Sequence, residues 1–171
     1  MGFLSGLFAK DPTQGWPAFG GKTPDLDLDR KAFGPLRFGD DLEQARAIGR
    51  PARCEQGPRA GDARLDYPSA GFHLEFEGGK LTGIFFDTGP DPDVPSRRGV
   101  APAVVRLGGF GAAQVSARTT LEDALALFGT PESDHADEYF RDVEFLREGL
   151  YLAFSFTAGK GLGDFYAYLA D

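Results

Sequence analysis

Cysteine is almost missing from this chain. Cys54 stands alone among 171 residues, so no intramolecular disulfide can form, and a stapled secreted scaffold or a cysteine-built zinc site is excluded. The lone thiol fits a reducing compartment, and a cytoplasmic location is the expectation. Long apolar runs are missing too, since none approaches the ~20 residues a membrane span needs. Positive charge is in deficit, with 18 basic against 26 acidic residues and a net charge of -8, which argues against nucleic acid or anionic lipid as a partner. What remains is 42% hydrophobic, 13% aromatic and 26% charged, the composition of a globular protein rather than a disordered chain. A chain of this length can bury roughly 70% of its unfolded surface, so a self-sufficient core is possible.

The first ten residues set apolar side chains at 3, 4, 7 and 8, the spacing of a short helix face. They lack a basic leader, and Lys10-Asp11-Pro12 stands where a small-residue cleavage site would be, so the reading is a docked arm and not a signal peptide. Position 6 is Gly, which fails the myristoylation pattern. A membrane-touching segment is the alternative. Residues 11–24 hold Pro12, Gly15, Pro17, Gly20, Gly21 and Pro24 and read as an irregular arm pinned by Trp16 and Phe19.

An internal repeat carries the organisation. LEQARAIGRP over 42–51 and LEDALALFGTP over 121–131 agree at an offset of 79 from Leu42/Leu121 to Ala47/Ala126, then at 80 for Gly49/Gly129 and Pro51/Pro131. Each reads as a short capped helix, with Asp40 and Glu43 or Thr119 and Glu122 forming the box at its start. Gly49 and Gly129 suit the left-handed residue that ends it. Strand-like segments follow in both copies: Gly71 to Phe76 answers to Gly149 to Phe154 at offset 78, and Ile84-Phe85-Phe86 to Phe165-Tyr166-Ala167 after a glycine turn. The predicted fold is α+β, with two helix-plus-antiparallel-meander repeats forming one sheet of six to eight strands and both helices on one face. The boundaries are an N-terminal arm over 1–32, a first repeat over 33–88, a Pro- and Gly-rich linker over 89–108 and a second repeat over 109–171, together one compact domain.

Alternation along the strands sorts the faces. Phe72, Leu74 and Phe76, with Leu150, Leu152 and Phe154, face the helices. His73, Glu75, Phe85, Tyr151, Tyr166 and Tyr168 then share the other face and are the candidate partner-binding residues, since tyrosines with a polar tip on a solvated sheet make good contacts. Either that face is open, or the arm or linker packs over it as a second small core.

Reaction chemistry is hard to find. His135 lies in an acidic loop with no second His or Cys at ligand spacing, so no metal is expected. Asp25, Asp27 and Asp29 begin like a calcium loop, but Arg30 and Leu36 stand where Gly and Glu are needed. With Leu26 and Leu28 they read as a half-buried strand. The glycines at 108, 109 and 111 are not followed by Lys-Ser/Thr, and no serine sits in a Gly-x-Ser-x-Gly turn. Cys54 has no identifiable base. No catalytic residue and no cofactor is expected. Thirteen acids meet eleven bases in residues 1–87 and thirteen meet seven in 88–171, so the second half holds a net -6 of the total -8. A partner with a basic surface would feel that field.

The capped helix, Gly-x-Pro, and aromatic meander ending in a glycine turn, given twice, resembles the tandem-repeat β-lactamase inhibitor proteins and the single-copy fold of small outer-membrane assembly lipoproteins. The resemblance covers roughly 33–88 and 109–171, at the level of pattern, and implies a non-enzymatic protein-binding role on the concave face of a sheet built from both repeats. An export signal, a lipid-attachment cysteine and a disulfide are all missing here, and no contact residue matches. The expectation is a non-catalytic protein-binding module of inhibitor or immunity type that masks a partner protein. The alternatives are a membrane- or envelope-associated interaction protein, and a small-ligand-binding domain or enzyme.

Overall fold

The computed structural model describes residues 11–88, 112–158 and 161–170, and the backbone of 103–106. The docked-arm expectation for the first ten residues, the glycine cluster at 108–111 and most of the linker lie outside the described residues. Three two-residue strands come first, β1 (Leu26–Asp27), β2 (Ala32–Phe33) and β3 (Leu36–Arg37), then a 3-10 turn over Leu42–Ala47. Next are β4 (Arg53–Gln56), β5 (Ala63–Tyr67), a short 3-10 turn over Pro68–Ala70, β6 (Phe72–Glu77) and β7 (Lys80–Asp87). β8 (Ala103–Arg106) and β9 (Ala112–Val115) lead into α1 (Leu121–Phe128), followed by β10 (Ser133–Ala136), β11 (Phe140–Arg147), β12 (Leu150–Thr157) and β13 (Gly161–Leu169). Among the described residues, no helix is long and apolar enough to cross a membrane.

Eight strands pair antiparallel in the order β10-β11-β12-β13-β7-β6-β5-β4, and five short ones form a second sheet, β3-β2-β1-β8-β9. This corrects the α+β expectation: the protein is mainly β, and helices do not form a layer on one face. The reason is size. Eight strands at ~4.8 Å spacing make a sheet roughly 35 Å across, whereas α1 has eight residues and so is only ~12 Å long and about 10 Å wide. The first copy's helix is a 3-10 turn of six residues. Most of the apolar face is therefore left for other segments to cover. Phe33 of β2 packs against Phe72 and Phe86, Phe128 of α1 against Phe145 and Phe154, and Phe19 of the arm against Tyr67 and Phe72. Trp16, Leu26, Leu36 and Val115 join the same buried cluster. The described part of the arm thus lies on the inner face, beneath the sheet, and β8 crosses the stretch expected to be linker.

The helix starts also shift by one residue. The Asp41 amide donates to Gln44 Oε1 at 2.8 Å, and Thr120 and Asp123 exchange hydrogen bonds at 2.8 and 3.1 Å. The boxes are Asp41–Gln44 and Thr120–Asp123, in place of the pairs beginning at Asp40 and Thr119.

Each repeat contributes four strands to the large sheet, the upper end of the six to eight expected. β4 and β10, the edge strands, are mostly polar and carry no apolar alternation. Leu74 faces Ile84 as Phe154 faces Phe165, so β6 and β12 correspond at an offset of 80 rather than 78. The two residues are taken up by the β11–β12 hairpin, which runs on to Arg147↔Leu150, where the first copy already turns through Pro68–Ala70. A shift of two leaves every side chain on its face. The halves meet at β7 and β13, where Phe85 faces Tyr166, Ile84 faces Ala167 and Phe86 faces Phe165. Phe85 and Tyr166 are equivalent in the repeat, so an approximate two-fold axis passes between them.

Candidate functional site

The outer face is organised in rows across the strands. One row runs Asp66, His73, Phe85, Tyr166, Ala153 and Glu144, and the next runs Arg64, Glu75, Gly83, Tyr168, Tyr151 and Leu146. Alternation on six neighbouring strands puts these side chains on one side and Leu65, Leu74, Ile84, Phe165, Phe154 and Phe145, all almost wholly buried, on the other. The six candidate residues are thus brought together on one face.

Within it the rings touch. His73 stacks on Phe85 at 4.3 Å between centroids, Phe85 meets Tyr166 edge-on at 4.2 Å, and Tyr151 stacks on Tyr168 at 5.3 Å. Gly83 sits mid-strand between Glu75 and Tyr168, and with no side chain there the face sinks into a groove of about 530 Å³. Glu75, Glu77, Thr82, Phe85, Tyr151, Tyr166 and Tyr168 line it. That volume is typical of ligand-sized depressions, which run roughly 300 to 1,000 Å³.

His73 lies deeper than the other five candidates. Only 7% of it is exposed, and its ring bonds to its neighbour: Nε2 lies 3.3 Å from Glu75 Oε1, and since an ionised carboxylate only accepts, Nε2 carries the proton and donates. That hydrogen bond holds the Glu75 carboxyl below its usual value, against a partial burial that pushes the other way. Tyr168 reaches across β12, which offers only Ala153 opposite Glu144, and donates its hydroxyl to Glu144 Oε1 at 2.6 Å. Burial first, and then this bond, push the phenol above its usual range.

Sequence reasoning missed Thr82, Gly83 and Glu144. Gly83 was within reach, because it has the same parity in β7 as Phe85 and Asp87. Glu144 was not, because the link to Tyr168 spans two strands and depends on register. Cys54 is half-buried on β4, and burial followed by the charges of Asp11 and Asp66 pushes its thiol up, away from the reactive thiolate. His135 is exposed on β10 opposite Asp142. Among the described residues, no group of three or more His, Cys, Asp or Glu could hold a metal ion. Asp27 accepts from the Arg30 amide at 3.1 Å while Leu26 and Leu28 are buried. No protein-family model, curated protein or solved structure matches this chain.

Proposed function

We propose that this protein is a non-catalytic protein-binding module, of inhibitor or immunity type, that engages a partner protein through the outer face of the large sheet. The observation that carries the reading is the contiguous set of half-exposed rings of Phe85, Tyr151, Tyr166 and Tyr168 bordering one groove. Aromatic anchors around a depression are the usual centre of a protein interface, where each can contribute about 2 kcal/mol or more. Here they stand on β-strands hydrogen-bonded on both sides, so little conformational entropy is lost on docking. The net charge of -8 favours encounter with a basic surface. The sequence resemblance to inhibitor proteins that bind with a repeat-built sheet points the same way.

The test begins with affinity capture from the native host, followed by purification of the captured protein and a measured Kd. Tyr151→Ala combined with Tyr166→Ala should weaken that Kd well over tenfold, since two anchors are removed, and move the unfolding midpoint only slightly. An unchanged Kd in a folded double variant sinks the proposal.

A further inference from the structure

We infer that the groove over Gly83 receives the guanidinium of an arginine presented by the partner protein. This rests on the protein-binding reading and adds what the partner must carry. The walls are the rings of Phe85, Tyr151, Tyr166 and Tyr168, whose faces are electron-rich and attract a cation. The rim brings Glu75 and Glu77, and among the described residues the lining contains no lysine or arginine. Each of the two cations opposite these glutamates makes its direct ion pair with another carboxylate, although the Arg64 charge also helps to hold the Glu75 carboxyl down. Arg64, opposite Glu75, is paired with Asp66 at 2.7 Å, and Lys80, opposite Glu77, is 2.9 Å from Asp41.

The two oxygens of Glu75 have separate roles. Oε1 accepts the hydrogen bond from His73 Nε2, while Oε2 stands 3.4 Å from where a Cβ on Gly83 would be. A carboxylate oxygen is therefore turned over the bare floor. An apolar side chain seated there would bury Oε2 without a partner, which is unfavourable. An anion would be repelled by both glutamates. A lysine ammonium could answer the charge, but it is compact and strongly hydrated and would leave the ring faces uncovered. The flat, weakly hydrated guanidinium can lie against tyrosine rings and donate to the carboxylate at the same time.

The probe is Nα-acetyl-arginine amide, compared with its neutral isostere Nα-acetyl-citrulline amide and with Nα-acetyl-lysine amide, titrated into the full ¹⁵N-labelled chain and followed by backbone amide shifts. Arginine should move the Gly83, Phe85, Tyr166 and Tyr168 amides saturably, with citrulline about tenfold weaker or worse and lysine between them. Glu75→Gln should weaken the arginine response severalfold. Gly83→Val, checked for folding by its dispersed amide spectrum, should abolish it; valine suits a strand, an added Cβ meets nothing closer than 3.4 Å, and the two methyls beyond it would fill the groove. Equal binding of citrulline, shifts centred elsewhere, no saturable shift with arginine, or retained binding in Gly83→Val overturns the inference. The captured partner separates this inference from the reading beneath it. If the tyrosine pair matters to that partner and Glu75→Gln and Gly83→Val do not, the arginine inference falls alone. If the arginine probe binds over Gly83 while the tyrosine pair leaves the partner's Kd unchanged, the protein-binding reading falls.

Discussion

At the residue scale, the two glycines that follow the helical segments look interchangeable in sequence and are not in space. Gly49 has φ +115°, and a Cβ there would come 2.7 Å from the Phe19 Cα; Gly129 has φ +74°, and its Cβ would meet only the Arg147 guanidinium at 3.3 Å. Both backbones disfavour a side chain, but only Gly49 also collides with main chain. Gly49→Ala should therefore cost more than about 1 kcal/mol and clearly more than Gly129→Ala, read as the shift in urea midpoint. A second expectation concerns Tyr168. Removing its hydroxyl leaves Glu144 without that donor, so Tyr168→Phe should lose about 1 kcal/mol, while the stacked rings stay in place. A third follows from Glu75, whose carboxyl is held below its usual value by His73. A depressed folded-state value stabilises above the unfolded value and is lost as pH falls through the folded one. The difference in melting temperature between wild type and Glu75→Gln should be present at neutral pH, small because the side chain is half-exposed, and should vanish in acid. A difference that grows on acidification would mean the His73 contact does not favour the ionised form.

At the element scale, the strands split into two kinds, and so did their legibility. β6, β7, β12 and β13 are six to nine residues long and alternate over the stretches that carry the candidate residues, with one irregularity at Thr82 and one at Gly163, so period two sorted those faces from sequence alone. Leu152→Ala on β12 tests that sorting. The side chain is fully buried and its loss should cost ~2 to 5 kcal/mol, against a mild effect for Tyr151→Ala one residue away. The reverse order would mean the faces are inverted. β1, β2 and β3 have two residues each; β1 lies within the Asp25 to Asp29 alternation that read as a half-buried strand, but pieces this short carry no sign that they pair into a second sheet. β4 and β10 alternate among polar residues because they are edges, where charge discourages pairing with another chain. The helices were over-read for the opposite reason. Their caps and leucine spacing are real, but six or eight residues cannot cover a wide sheet, and nothing local reports what else lies over it. Of the candidate site, the aromatic positions were legible from parity; the groove needed the register that places Gly83 beside Tyr168.

At the scale of the whole molecule, one buried cluster contains side chains from both repeats and from the small sheet, and the pairing of β1 with β8 and of β7 with β13 ties the first half to the second. Fragments 1–88 and 103–171 made separately should show neither cooperative melting nor dispersed amide spectra, and should recover both when mixed; independent folding of either would show that its half of the core suffices. The approximate two-fold axis between Phe85 and Tyr166 bears on valency. Such symmetry would offer two equal seats, one on each side of the axis. The position related to Gly83 is Asp164, set opposite Asp87, so a carboxylate-bearing residue stands where the first seat has a bare floor. The scaffold is repeated but the bare floor is not, so under the arginine inference the complex should form with one partner per chain.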